Sequence, residues 1–462
     1  MSVTKRDLVI RISNDTGLIQ QDVMAVVQKT LDYITEAHCK NRDAEITAQP
    51  PAPRRPSTMN ALPGVRDFYP ETLALRRYIF GKWREVARRY GFREYDGPPL
   101  EPLELFTQKS GDEIVGQLFN FVDKGDRAVA LRPEMTPTLA RMVGAHHRDY
   151  KKPIKWFAVP QLFRYEKQQR GRLREHFQFN ADIIGETDVA ADDELIALAI
   201  DTLRSFGLTE NDFVVRVSDR RAWQKMFTDA GIAADQQYAA FQAIDKMERE
   251  PVEKTREKLA AVTGKVDEIL AFAGQTEPVG DLKTVFEKLG DLAGYCQVDF
   301  KIVRGLAYYT GIVWEIHDRK GELRAIAGGG RYDNLLKLVS GEDLPALGFG
   351  MGDVVLGELL KERGLLPKPE AGVDCYLIIA DEALRLPALK LAHDLRDAGH
   401  AVEYSLTPAK VGKQFQAAGN SGARYAVVIG PEEWNAGQVK LKNLATGVEA
   451  LVAITELKEK LK

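Results

Sequence analysis

A chain of 462 residues carrying 64 Lys and Arg against 67 Asp and Glu has a net charge of −3, which weakens a nonspecific nucleic-acid coat and leaves local basic patches for such contacts. Hydrophobic and charged fractions of 44% and 28% are those of a soluble globular protein, with length for two to four domains. No apolar run reaches membrane-spanning length, no signal-peptide core opens the chain, and Cys39, Cys296 and Cys375 match no zinc or disulfide spacing, so a cytoplasmic protein without a metal site is expected.

Residues 2–40 read as two amphipathic helices. Thr4 and Asp7 form a capping box before Leu8, and Gly17 closes the first helix. Val23, Val27, Leu31 and Ile34 then fall at helical spacing. The wording TKRDLVIRISNDTGLIQQDVMAVVQKTLDYITEA resembles the first two helices of the HU/IHF family of DNA-bending proteins. The strands and basic arms with which that family grips DNA do not follow; a proline-rich stretch, QPPAPRRPST at 49–58, takes their place. This weakens a DNA-associated scaffold and leaves a helical docking module over 1–41, its partner unknown, or a dispensable extension. A linker spans 42–61, and Met59 would allow a start without the extension.

After LPGVRDFYPE, Leu75, Ile79, Trp83, Val86 and Tyr90 mark one face of a long helix ended by Gly91, and FREYDGPPLEP follows as a strand. In ALRPEMTPTLARMV, Thr136 stands at an N-cap with Pro137 at N1, which holds Glu134 just before a fixed helix start. His146 and His147 are adjacent, about 100° apart on a helix, and so are not an i, i+4 metal pair.

The stretch FRYEKQQRGRLREHFQFNADIIG at 163–185 reads as strand, basic loop, strand. Alternation puts Arg164 and Glu166 on one face of the first strand, opposite Phe163 and Tyr165. In the return strand Gln178, Asn180 and Asp182 share a face, with Phe177, Phe179, Ala181 and Ile183 behind. Lys167, Arg170, Arg172 and Arg174 lie in the loop between.

Downstream, DDELIALAIDTLRSFGL is helical, FVVRVSD is a strand, and about 220–295 is helical and highly charged. VDFKIVRGLAYYTGIVWEI is a strand-rich run broken by Gly305 and Gly311. The three glycines of AGGGRYD allow close backbone approach to a ligand without forming a phosphate loop of the Walker kind. ALGFGMGDVVLGELL runs from strand to helix, but Asp353 occupies the third position of a dinucleotide fingerprint. Beyond the linker KERGLLPKPEAG, strands DCYLIIA, AVEYS, RYAVVIG and QVKLKNL alternate with helices, and no glycine-rich loop follows the first of them.

Four stretches in this order, RPEMT (132–136), the 163–185 hairpin, RGLAYYTG (304–311) and AGGGRYD (327–333), resemble class II aminoacyl-tRNA synthetases and specifically the histidyl-tRNA synthetase family. The resemblance covers about 62–462. It implies an α/β and α+β architecture: an antiparallel-sheet catalytic core over 62–365, a helical insertion at about 220–295 that helps hold the tRNA acceptor end, and an anticodon-binding domain over 372–462.

The implied activity joins L-histidine to tRNA(His) through a histidyl-adenylate, with ATP and its Mg²⁺, in a homodimer built on the 75–90 helix and the FREYDGPPLEP strand after it. Arg164 and Arg304 would flank the α-phosphate and Glu166 the adenine. Glu134, Thr136, Gln178, Asp182, Tyr308, Tyr309 and Tyr332 would hold histidine, and Lys167, Arg170, Arg172 and Arg174 the tRNA acceptor. Val354 and Val355 stand where class II enzymes carry Glu-Arg, the Arg stacking on adenine, and Ala307 replaces a common acidic residue. The alternative is a non-catalytic paralogue that regulates ATP phosphoribosyltransferase. Such a paralogue is expected to lack both the arginine motif and the C-terminal domain.

Overall fold

The computed structural model describes residues 5–30, 60–107, 116–166, 171–303, 308–367 and 372–461. Two units divide after Leu62. In the first, a helix over Lys5–Thr16 stops at Gly17, whose φ of +70° suits a residue without a Cβ, and a second helix covers 20–30. Val9, Val23 and Val27 bury together between them. Thr4 of the capping box, Leu31 and Ile34 of the stripe, Cys39, the proline-rich stretch and Met59 lie outside the described residues.

The second unit opens with the helix Pro70–Arg89, whose Ile79, Trp83, Val86 and Ala87 are buried. FREYDGPPLEP is not one strand. It splits into β1 (Arg93–Glu94) and β2 (Leu100–Pro102), which join different sheets. Pro98 and Pro99 between them have no N–H to continue a ladder. β3 (Asn120–Val122) and β4 (Ala128–Leu131) complete a small sheet in the order β2-β4-β3.

The main sheet adds β5 (Ile154–Ala158), β6 (Gln161–Phe163), β7 (Glu175–Ile184), β8 (Phe213–Asp219), β9 (Cys296–Val298), β10 (Ile312–Asp318), β11 (Ala327–Arg331) and β12 (Ala346–Gly352). Its order is β1-β5-β7-β12-β11-β10-β8-β9, with β6 also paired to β7. The pairs β1–β5 and β8–β9 are parallel; the remaining pairs are antiparallel.

One face of this sheet packs on Pro70–Arg89 and on the helix Ala190–Arg204, with Phe179 in ring contact with Trp83, Phe157 and Phe349. Residues 220–289 form five helices, from Arg220–Asp229 to Asp281–Leu289, whose Trp223, Phe227, Ile269 and Val285 extend the same core. The chain ends in a separate five-stranded sheet of β13 (Cys375–Ile379), β14 (Val402–Tyr404), β15 (Tyr425–Ile429), β16 (Gln438–Asn443) and β17 (Glu449–Ala453) in the order β14-β13-β15-β16-β17.

Candidate active site

β7 is the strand from which the site is built. Its apolar side chains point into the core, so alternation aims His176, Gln178, Asn180 and Asp182 at the opposite face. There β12 offers Gly348, Gly350 and Gly352 in register with Asp182, Asn180 and Gln178. A Cβ on Gly348 would lie 2.0 Å from Asp182 Oδ1, and one on Gly350 2.5 Å from Gln178 Cδ. The glycines therefore make room for the polar side chains of the neighbouring strand, and a cleft of about 680 Å³ opens above them.

The AGGGRYD glycines divide by role. Gly328 lines the cleft. Gly329 and Gly330 are required by packing instead, because added Cβ atoms would meet Gly348 O at 2.5 Å and Ile312 O at 2.7 Å. For these two, close approach is to neighbouring strands rather than to a ligand.

At one end of the cleft Tyr332 donates its hydroxyl to Asp182 Oδ1, and both side chains are buried. Burial raises the Asp182 carboxyl to about 7, against the opposing pull of that hydrogen bond, and holds the Tyr332 hydroxyl well above its usual range. Tyr308 donates to Glu134 Oε2 at 3.2 Å, and its ring contacts those of Tyr309 and Tyr332. Thr136 also lines this wall. It is not the N-cap: the helix spans Thr136–His146 with Met135 at the cap position, and no side chain caps it. The start is one residue earlier than the proline suggested, because Pro suits the first turn beyond N1 as well.

Toward the middle, Arg164 donates from Nε to the Pro133 carbonyl at 3.0 Å and lines the cleft. It stands just beyond β6, which ends at Phe163, so Arg164 and Glu166 belong to a loop rather than to a strand. Buried Glu166 pairs with Arg172. Arg174 donates to the Glu166 carbonyl at 3.3 Å and stacks 4.2 Å over Tyr165. Lys167, Arg170 and Arg304 lie outside the described residues. Burial, with Arg164, Arg66 and Arg172 nearby, depresses His176 to about 3, so its ring is neutral at physiological pH.

The far end is formed by Val354, Val355, Ile326 and Arg324, with Gly171 between them: a Cβ there would be 3.3 Å from Val355 Cγ2 and 3.9 Å from Arg324 Cδ. Arg249, Glu315 and His317 also line the cleft, His317 bonded to Glu315 at 3.0 Å.

Sequence reasoning did not single out His176, although it shares parity with 178, 180 and 182. It also passed over Arg249, Glu315 and Arg324, which no periodic pattern ties to the site. Arg66 was missed as well. This residue pairs with Glu175 at 2.6 Å and Asp353 at 3.0 Å, while Asp353 accepts from the Phe177 N–H at 2.8 Å. Asp353 thereby locks its helix to β7, a structural task in place of a nucleotide fingerprint. His146 and His147 face Asp149 and Glu342.

Residues 64–352 match the family described as histidyl-tRNA synthetase, and residues 374–462 match an anticodon binding domain. A histidine–tRNA ligase of Opitutus terrae is 45% identical over 85% of this chain and 95% of its own. The chloroplastic/mitochondrial histidine–tRNA ligase of Arabidopsis thaliana is 41% identical over 86% of each. The crystal structure of histidyl-tRNA synthetase from Nostoc sp. superposes with a TM-score of 0.73 at 25% identity, covering 87% of this chain and 98% of that one.

Proposed function

This chain belongs to the histidyl-tRNA synthetase family and ligates histidine to tRNA with the use of ATP, and we propose that both steps take place in the glycine-floored cleft. The observation that carries this reading is the polarity of the cleft: buried Asp182, Glu134 and tyrosine hydroxyls at one end, and Arg164 beside a neutral His176 farther along.

Asp182, Glu134, Gln178, Thr136, Tyr308, Tyr309 and Tyr332 bind histidine through its ammonium and imidazole. A competitor without those groups leaves buried acceptors unpaired, which is the source of selectivity. A carboxylate oxygen of histidine then attacks the α-phosphorus of ATP, the bond to the β,γ-unit breaks, and pyrophosphate leaves. Arg164 and Arg304 stabilise the charge that builds on the α-phosphoryl oxygens, and Glu166 lies on the adenine side. In the second step a hydroxyl of the terminal ribose of tRNA(His) attacks the acyl carbon of the adenylate, the bond between that carbon and the phosphate oxygen breaks, and AMP leaves as the histidyl ester forms. Lys167, Arg170, Arg172 and Arg174 meet the acceptor end, with the 220–295 helices beside it.

Among the described residues no cluster of three or more His, Cys, Asp or Glu side chains forms a metal cage. Mg²⁺ would enter on the phosphates of ATP, since this ion keeps several waters and needs few protein carboxylates. Glu315 would meet it within the cleft, and the ion would offset phosphate charge.

The proposal extends to a homodimer, to a cytoplasmic location and to domains at 1–41, 62–365 and 372–462. Among the described residues no helix is long and apolar enough to cross a membrane. The anticodon-binding match argues against a regulatory paralogue. Histidine-dependent ATP–pyrophosphate exchange followed by charging of tRNA(His) tests the reading; absence of exchange at saturating substrates would overturn it.

A further inference from the structure

Building on the adenylation reading, we propose that Arg324 is the residue that stacks on the adenine of ATP, in a purine site completed by His176 and Val355. All three line the cleft. Val355 is buried and contributes an apolar wall without charge. Arg324 reaches that same wall from the opposite strand connection: the position a Gly171 Cβ would take is within 4 Å of both its Cδ and Val355 Cγ2.

The hairpin between β10 and β11 fixes where Arg324 starts. Asp318 accepts from the Leu323 N–H at 3.0 Å, and the Ile326 N–H donates to Ile316 O at 2.8 Å. Leu323 and Ile326 are both buried in the core, which leaves Arg324 exposed between two anchors. Among the described residues it has neither a hydrogen-bond partner nor a carboxylate to hold it, whereas Arg172 is paired with Glu166 and Arg164 with Pro133. A guanidinium prefers an aromatic face to water when one is offered, and its planar shape matches a purine better than an ammonium does. The neutral His176 ring does not repel that cation and supplies a second flat surface.

The experiment compares wild type, Arg324→Ala and Arg324→Lys in histidine-dependent ATP–pyrophosphate exchange, with thermal melting of each. Loss of the cation–π contact predicts an ATP KM raised about two- to thirtyfold in Arg324→Ala, with the histidine KM and melting temperature unchanged. Arg324→Lys should recover part of the loss, because charge is kept and planarity is not. An ATP KM in Arg324→Ala equal to wild type overturns the assignment, as does a parallel rise in the histidine KM, which would mark a general distortion. Wild type without any exchange would defeat the adenylation reading itself, a result separate from either of these.

Discussion

Tyr332 and Asp182 meet in the interior, the tyrosine hydroxyl donating to the carboxylate from 150 residues farther along the chain. The contact joins β7 to the segment after β11 at one end of the cleft. Tyr332→Phe leaves a buried acceptor without its donor, a loss of about 1–3 kcal/mol. The expected result is a higher histidine KM and a lower melting temperature, with the ATP KM little changed.

The same pair sets a pH dependence. Burial raises Asp182 to about 7 from an ordinary value of 3.8, so between these pH values the folded state holds a proton that the unfolded chain releases. The resulting stability is fully present below about 3.8 and is lost as pH rises through about 7. Asp182→Asn should flatten this part of a stability-against-pH curve measured by chemical denaturation. An identical slope in the variant would assign the titration elsewhere.

Arg331 and Asp192 form a buried pair, with side-chain exposures of 4% and 2%, and the arginine also donates to the Glu186 and Asp188 carbonyls at 3.0 and 3.1 Å. Removal of the Asp192 charge leaves the buried guanidinium with only Asp333, at 3.5 Å, as a counter-charge. Asp192→Ala is therefore expected to cost about 3–5 kcal/mol of stability, read from denaturant midpoints.

Gly348→Ala tests the floor of the cleft. The new methyl would overlap Asp182 Oδ1, 2.0 Å from the built position, and either the carboxylate or β12 must move. Strain of about 1–3 kcal/mol is expected. A raised histidine KM in an otherwise folded protein is the predicted signature.

Arg164→Ala and Arg304→Ala should each depress adenylate formation at least about a hundredfold, since one preorganised contact at developing charge contributes roughly 3–4 kcal/mol. Retention of more than about a tenth of wild-type exchange would remove that arginine from the phosphate.

Deletion of 1–58 should leave tRNA charging unchanged, because the second unit begins after Leu62. Deletion of 1–66 should abolish it. That cut removes Gly64, whose carbonyl accepts from the Arg174 and Glu175 N–H groups, and Arg66, which ties Glu175 to Asp353. A large rise in the tRNA KM with the shorter deletion would instead place the extension at the substrate site.

The sequence by itself determined what repeats locally. Alternation assigned the two faces of β7, helical spacing found the Ile79, Trp83 and Val86 stripe, and the order of four short motifs identified the family. Gly17 and Gly91 marked helix ends because a positive φ is a local requirement. What only the tertiary structure decided were relationships between distant segments. Arg66 reads as an ordinary polar residue until Glu175 and Asp353 arrive beside it. Gly329 and Gly330 look like a ligand cradle until neighbouring strands are seen to fill the space of their missing side chains. Arg324 sits in a turn with no period to betray it, and it becomes part of the cleft only when β10, β11 and β12 bring that turn alongside Val355. Periodicity encodes which side of an element is buried, whereas contact across a sheet depends on register and strand order, which no short window of residues contains.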